Sequence, residues 1–266
     1  MPMAATTQVQ DLKQDHWLQD QVLPQPDCDF YILVTWQHAR HEISLWYVLY
    51  QWLWAIWHIF WCVASILHQG SYYGIYLTNW TYTMIAIRTL YTAVLMAYAH
   101  RNYVSTGCLP GRMGWSMKVL WILQSITNYP SLLVTATFWA ALWSPGMPIG
   151  VWNIILHVCN SVYVWVDMLV SAAPVRILHF TWPLMYLLAY LIFAVVYFCT
   201  GGTNPWGGHA IYPILDFNHL SFTVPLVICL GVAAPLMQMV VWILHRRRVC
   251  LRRKVLGRRE SLVPWI

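Results

Sequence analysis

The chain alternates long apolar runs with short polar connections. Six runs reach the ~20 residues that cross a ~30 Å hydrocarbon layer. They are Leu45–Leu67, Tyr76–Tyr98, Val119–Trp143, Val151–Ala172, Phe180–Cys199 and Phe222–Leu244. Each predicts a membrane-spanning helix. Asn128 and Pro130 interrupt the third run, and Pro183, Pro225 and Pro235 fall in the last two. Prolines in spans kink the helix and free carbonyls that neighbouring helices satisfy. No ~10-residue alternating segments recur, which argues against a barrel. The pattern predicts an all-α fold, an integral membrane six-helix bundle over residues 45–244. A polar tail over 1–44 precedes it and a basic tail over 245–266 follows it. Met1–Phe30 lacks a basic start followed by an apolar core, so no signal peptide is expected. Phe30–Trp36 with the basic Gln37–His41 patch reads as a segment lying on the membrane surface.

Inside the runs, polar residues fall on narrow faces. In the fourth, Asn153, His157, Asn160, Asp167 and Ser171 lie within roughly 80° of an ideal helix. In the second, Thr78, Thr81, Arg88, Thr89 and Thr92 cover roughly 100°. Ionisable groups at membrane depth are costly and mark functional sites or paired contacts between helices. The two faces are therefore expected to meet. At ~1.5 Å per residue, His157 lies about 9 Å below the outer boundary, in the half where Thr78 opens its run. Arg88 and Asp167 lie deeper, where they are expected to neutralise each other as a structural ion pair. Asn160 falls between the two groups.

Composition strengthens the membrane reading: 59% of residues are hydrophobic and 9% charged, against ~25% charged in soluble domains. The 18 tryptophans suit aromatic belts at two lipid–water interfaces. Of the 15 lysines and arginines, all but Arg88 fall in the two tails or in the connections after the second and fourth runs. The positive-inside rule then places both termini in the cytosol. The net charge of +6 comes from the C-terminal tail, with eight basic residues between Arg246 and Arg259. It predicts contact with anionic lipid or serves simply to fix topology, and is not a nucleic-acid signal. Cys250 in that tail is a candidate for palmitoylation. The seven cysteines offer no pair for an outer disulfide.

Three chemical readings compete. In the first, His157 acts as general base for the Thr78 hydroxyl, with Asn153 or Asn160 orienting the ring or donating to an oxyanion. Such a site suits a lipid ester. In the second, His157 and His58, at similar depth, hold a haem or metal. In the third, the polar faces only hold helices together. The turn-rich connection Thr200–Ser221, with Gly201, Gly202, Pro205, Gly207, Gly208 and Pro213, could cover a site above Thr78 and His157. The sequon Asn79-Trp80-Thr81 falls at the membrane boundary, where glycosylation is not expected.

Several landmarks together carry a resemblance. They are Leu77-Thr78-Asn79-Trp80-Thr81-Tyr82; Asn153, His157, Asn160 and Asp167; Pro174-Val175-Arg176 with His179; Gly201-Gly202-Thr203; and Ile211-Tyr212-Pro213-Ile214-Leu215-Asp216. In combination, over Leu45 to Leu244, they resemble the rolling stone family of multipass membrane proteins. That resemblance implies a role in myoblast or cell fusion during muscle development. It also implies a place in the plasma membrane, with the endoplasmic reticulum as the alternative. More distantly the chain is similar to the androgen-induced membrane hydrolases, which cleave fatty-acid esters of hydroxy fatty acids with a Thr and a His. Their Leu-Thr motif falls on Leu77-Thr78, their Asn-x-x-x-His motif on Asn153 and His157, and their Tyr-Pro motif on Tyr212-Pro213. This chain has Val158 where those enzymes place a Thr after the His, and it adds Asn160. The resemblance implies a threonine-dependent hydrolase of lipid esters without a cofactor. The alternatives are a non-enzymatic structural or interaction protein and, third, a haem or metal protein.

Overall fold

The computed structural model describes residues 32–36, 42–108 and 114–256. Among the described residues, six helices carry the fold. Helix α1 is Leu45–Gln69, followed by a 3-10 turn, Gly70–Ile75. Helix α2 is Leu77–Thr106. Helix α3 is Trp115–Thr137, extended by a single π turn at Phe138–Leu142. Helix α4 spans Val151–Val170 and contains a second π turn, Ile155–Cys159. A 3-10 turn at Ile177–Phe180 leads into α5, Thr181–Cys199. Helix α6, Leu220–Leu256, is the longest at 37 residues. Among the described residues there is no strand, only an isolated bridge between Val34 and Ser171.

Among the described residues, four segments are long and apolar enough to cross a membrane: Leu45–Ile75, Val151–Val170, Ile177–Cys199 and Leu220–Arg252. The sequence reading gave six. Helices α2 and α3 have the length, 30 and 23 residues, but not the apolarity. Their polar residues are the reason. Thr81, Arg88 and Thr89 of α2 and Gln124, Thr127, Asn128 and Ser131 of α3 are all buried inside the bundle. Helix α3 is central, in contact with α2, α4, α5 and α6. Apolar side chains face outward instead. Trp46, Leu49, Leu53, Ile56, Phe60, Val63 and Leu67 of α1 are exposed, as are Phe222, Ile228, Val232 and Leu236 of α6. Large exposed apolar faces around a polar interior are the signature of a surface in contact with lipid.

Two end segments differ from expectation. Ile32, Leu33 and Thr35 are buried in the bundle, while Trp36 stays exposed. Ile32 and Leu33 are buried against Tyr47, Met96 and Trp121. Their backbone completes hydrogen bonds with the chain leaving α4: Thr35 donates to the Val170 carbonyl at 2.8 Å and Ala172 donates to Leu33 at 3.0 Å. The unpaired carbonyls at the end of α4 need such partners once away from water. The remainder of the Phe30–His41 reading, and most of both tails, lies outside the described residues. At the other end, α6 continues to Leu256, so the basic segment through that residue is helical. Arg248 is buried there. It donates to the carbonyls of Met168, Ser171 (2.7 Å) and Ala173 (3.4 Å), and its Nη2 lies 2.7 Å from His245 Nδ1. A guanidinium at a helix C-terminus satisfies orphan carbonyls and complements the helix dipole. Arg248 and Arg252 are thus buried, while Arg246, Arg247 and Lys254 stay exposed.

Candidate active site

The deeper polar residues form one buried linkage. Arg88 donates through Nη2 to Asp167 Oδ2, and through Nη1 to Asn128 Oδ1 (2.6 Å) and Thr127 Oγ1 (3.0 Å). Its guanidinium carbon lies 5.4 Å from the centre of the Tyr163 ring. One arginine therefore joins α2, α3 and α4. A second linkage is built around Asn160. Its Oδ1 accepts from the Ser161 amide at 2.7 Å and from Thr135 Oγ1 at 3.2 Å, and Thr135 and Ser161 share a 2.6 Å hydrogen bond. Asn160 is fully buried between α3 and α4.

The straight-helix stripe in α4 does not survive as one face. A π turn closes with i→i+5 bonds and holds an extra residue. The turn at Ile155–Cys159 therefore shifts the phase between Asn153 and Asn160. Asn153 donates to the Pro148 carbonyl at 3.4 Å and makes no hydrogen bond to His157. Ser171 lies past the helix end, as its C-cap. His157 sits on the π turn itself, and π turns are frequent at functional sites. Its ring stacks on Phe138 of the other π turn, with centroids 3.7 Å apart and planes 5° from parallel. Its Nδ1 is buried without a hydrogen-bond partner.

His157 and Thr78 line the same cavity, which has a volume of about 260 Å³. Its walls are almost wholly apolar, from α3 (Leu133, Val134), α5 (Leu184, Leu187, Leu191) and α6 (Leu226, Leu230, Gly231). The polar groups on it are Thr78, Thr137, His157, Tyr190 and Tyr212. No hydrogen bond joins Thr78 and His157. Tyr212 comes from the connection between α5 and α6, and its hydroxyl is the polar neighbour of the Thr78 side chain. Burial pushes the Tyr212 phenol up, so it is a neutral donor at ordinary pH. Tyr190 donates to the Ile75 carbonyl at 2.8 Å and so ties α5 to the start of α2. A few convergent polar groups in an apolar concavity are the usual composition of a small-molecule site.

The α5–α6 connection forms part of the cavity wall through Tyr212, Ile214 and Leu215. Its fold is local. Asn204 Oδ1 accepts the amides of Trp206 (3.0 Å) and Gly208 (2.9 Å), and Asn204 Nδ2 donates to the Ala210 carbonyl at 2.9 Å. Gly202 is required where the chain crosses the Tyr197 ring, since a Cβ would collide with it. Asp216 ends the connection. Its carboxylate accepts the Asn218 amide (3.0 Å) and lies 2.8 Å from His219 Nδ1, while its carbonyl accepts Thr223 Oγ1 at 2.6 Å.

His58, the other half of the haem reading, is enclosed elsewhere. Its Nδ1 lies 2.8 Å from the Trp54 carbonyl, and its ring packs on Trp54, Tyr82 and Tyr163. It does not line the cavity that holds His157. Asn79 of the sequon is buried and hydrogen-bonded to Gln69 and the Tyr73 carbonyl. Sequence reasoning passed over Phe138 and Gly231, because neither carries polar chemistry. It met Tyr212 only as part of a motif.

Comparison with known proteins supplies the remaining context. A family model described as protein rolling stone matches residues 26–265, which take in every helix and the whole cavity wall. Protein rolling stone of Drosophila melanogaster is 32% identical over 195 residues, covering 69% of this chain and 70% of that protein. No solved structure matches. A match of that length, over helices that bury polar residues and expose apolar ones, establishes that the chain belongs to the rolling stone family.

Proposed function

We propose that this multipass membrane protein cleaves lipid esters in the cavity beside Thr78, with both termini cytosolic and α2 and α3 completing six spans. One observation carries the reading: Thr78 and His157, from different helices, border one apolar cavity, and His157 Nδ1 has no other partner. His157 takes the hydroxyl proton as Thr78 Oγ attacks the ester carbonyl carbon, and the Tyr212 phenol donates to the carbonyl oxygen as it gains charge. The alcohol leaves with the proton from His157. A water deprotonated by His157 then cleaves the acyl-threonine, releasing the acid and restoring Thr78. Catalytic pairs commonly tighten only with substrate bound, which fits the absence of a direct Thr78–His157 bond here.

The test is labelling of the purified protein with a fluorophosphonate. Wild type labels, Thr78→Ala and His157→Ala do not, and a band that survives Thr78→Ala overturns the reading. A second reading is that the protein acts at fusing membranes without catalysis, through contacts of its folded body. This reading is the one that the resemblance to the rolling stone family implies. It gains if a Thr78→Ala/His157→Ala protein restores fusion in cells lacking the natural one. In either case the exposed Arg246, Arg247 and Lys254 meet anionic lipid at the plasma membrane or endoplasmic reticulum.

A further inference from the structure

We propose that Gly231 is the length gauge of this cavity, which admits one acyl chain of medium length. The inference deepens the lipid-ester reading and rests on it for the position of the ester. Thr78 is the second residue of α2, at the mouth of the cavity, and His157 is the seventh residue of α4. Gly231 lies eleven residues beyond Leu220, roughly 16 Å along α6. Below the polar mouth, the α3, α5 and α6 walls that surround Gly231 are apolar: Leu133, Leu184, Leu187 and Leu230.

An ester held at Thr78 therefore directs its acyl chain toward Gly231. Size sets the class. A dry cavity of ~150 Å³ holds one benzene, so about 260 Å³ holds on the order of ten carbon atoms. That fits one medium acyl chain and excludes both tails of a diacyl lipid. At Gly231 the wall lacks a side chain, and a Cβ built there meets nothing within 4 Å. A side chain would stand in open space, on a residue that lines the cavity. Glycine inside a helix is otherwise less favourable than alanine, so a larger residue shortens the cavity while favouring the helix.

The experiment uses the full chain in detergent with p-nitrophenyl butanoate, octanoate, dodecanoate and hexadecanoate. Binding of butanoic, decanoic and hexadecanoic acid is followed in parallel by native mass spectrometry. Wild type prefers octanoate. Gly231→Leu loses at least tenfold in kcat/KM on octanoate while keeping butanoate, and it loses decanoic acid binding. Gly231→Ala, with a thermal midpoint like wild type, shows a smaller shift in the same direction. An unchanged chain-length profile in Gly231→Leu overturns the gauge even if the esters are cleaved. Loss of decanoic acid binding without cleavage in any variant supports the gauge and sinks the hydrolase. Equal binding of all three acids by wild type and Gly231→Leu also overturns the gauge.

Discussion

Arg88 and Asp167 show how a single residue pair can hold three helices. Both are buried, and the guanidinium also serves Thr127 and Asn128 on α3. Removing one partner strands the other charge, which costs about 3–5 kcal/mol. Asp167→Ala is therefore expected to lower stability by that amount in detergent unfolding. Arg88→Met/Asp167→Leu should recover most of the loss, because no charge remains unpaired. Equal losses in the single and double variants would mean that the pair is not what matters. The pairing was legible from helix depth and from the cost of a lone charge. The extra hydrogen bonds to Thr127 and Asn128 were not, because no periodicity links α2 to α3. His157 differs again. Its residue type was legible, but its stacking on Phe138 depends on two π turns facing each other.

At the scale of elements, the ends of α4 decide more than its middle. The carbonyls of Met168, Ser171 and Ala173 converge on Arg248. The same stretch of chain bonds to Leu33 and Thr35. Hydrogen bonds from a charged donor are worth about 1.5–3 kcal/mol each way of counting the group. Arg248→Met is expected to cost at least about 1.5 kcal/mol and to speed hydrogen exchange at Ser171 and Ala172. Arg247→Met, at an exposed neighbour, should cost nothing measurable. If the two behave alike, Arg248 is no cap. The arginines looked equivalent in sequence, as a charge run beside a span. Only the packing of α6 on the end of α4 separates them, since position on a helix face decides which are buried.

For the whole molecule, part of the cavity wall depends on the α5–α6 connection and its Asp216 junction. Hydrogen bonds from the Asn218 amide, then from His219, hold the Asp216 carboxyl below the usual carboxylate range. A depressed carboxyl contributes stability that is complete above its unfolded value of about 3.9. That contribution fades as pH falls through the lower folded value. The junction should therefore loosen on acidification below about pH 4, read as faster hydrogen exchange at Asn218 and Thr223. Asp216→Ala should exchange fast at every pH. A junction equally protected at pH 3 and pH 7 would show that Asp216 does not hold it.

The sequence by itself determined the all-helical architecture, the long apolar segments and the family, because those follow from runs of apolar residues and short motifs that survive without coordinates. It also placed Thr78 and His157 in the same half of the bundle, because depth along a helix is a count of residues. Tertiary structure decided what a count cannot give. The π turn at Ile155–Cys159 split the α4 stripe into Asn153, which bonds to Pro148, and Asn160, which bonds to α3. Packing drew Ile32, Leu33, Thr35 and Arg248 into the interior at the end of α4. The cavity between α3, α5 and α6 exists only because Leu133, Leu187, Leu230 and the side-chain-free Gly231, distant in sequence, meet without filling the space. A void is a property of many contacts at once, and no local pattern along the chain records it.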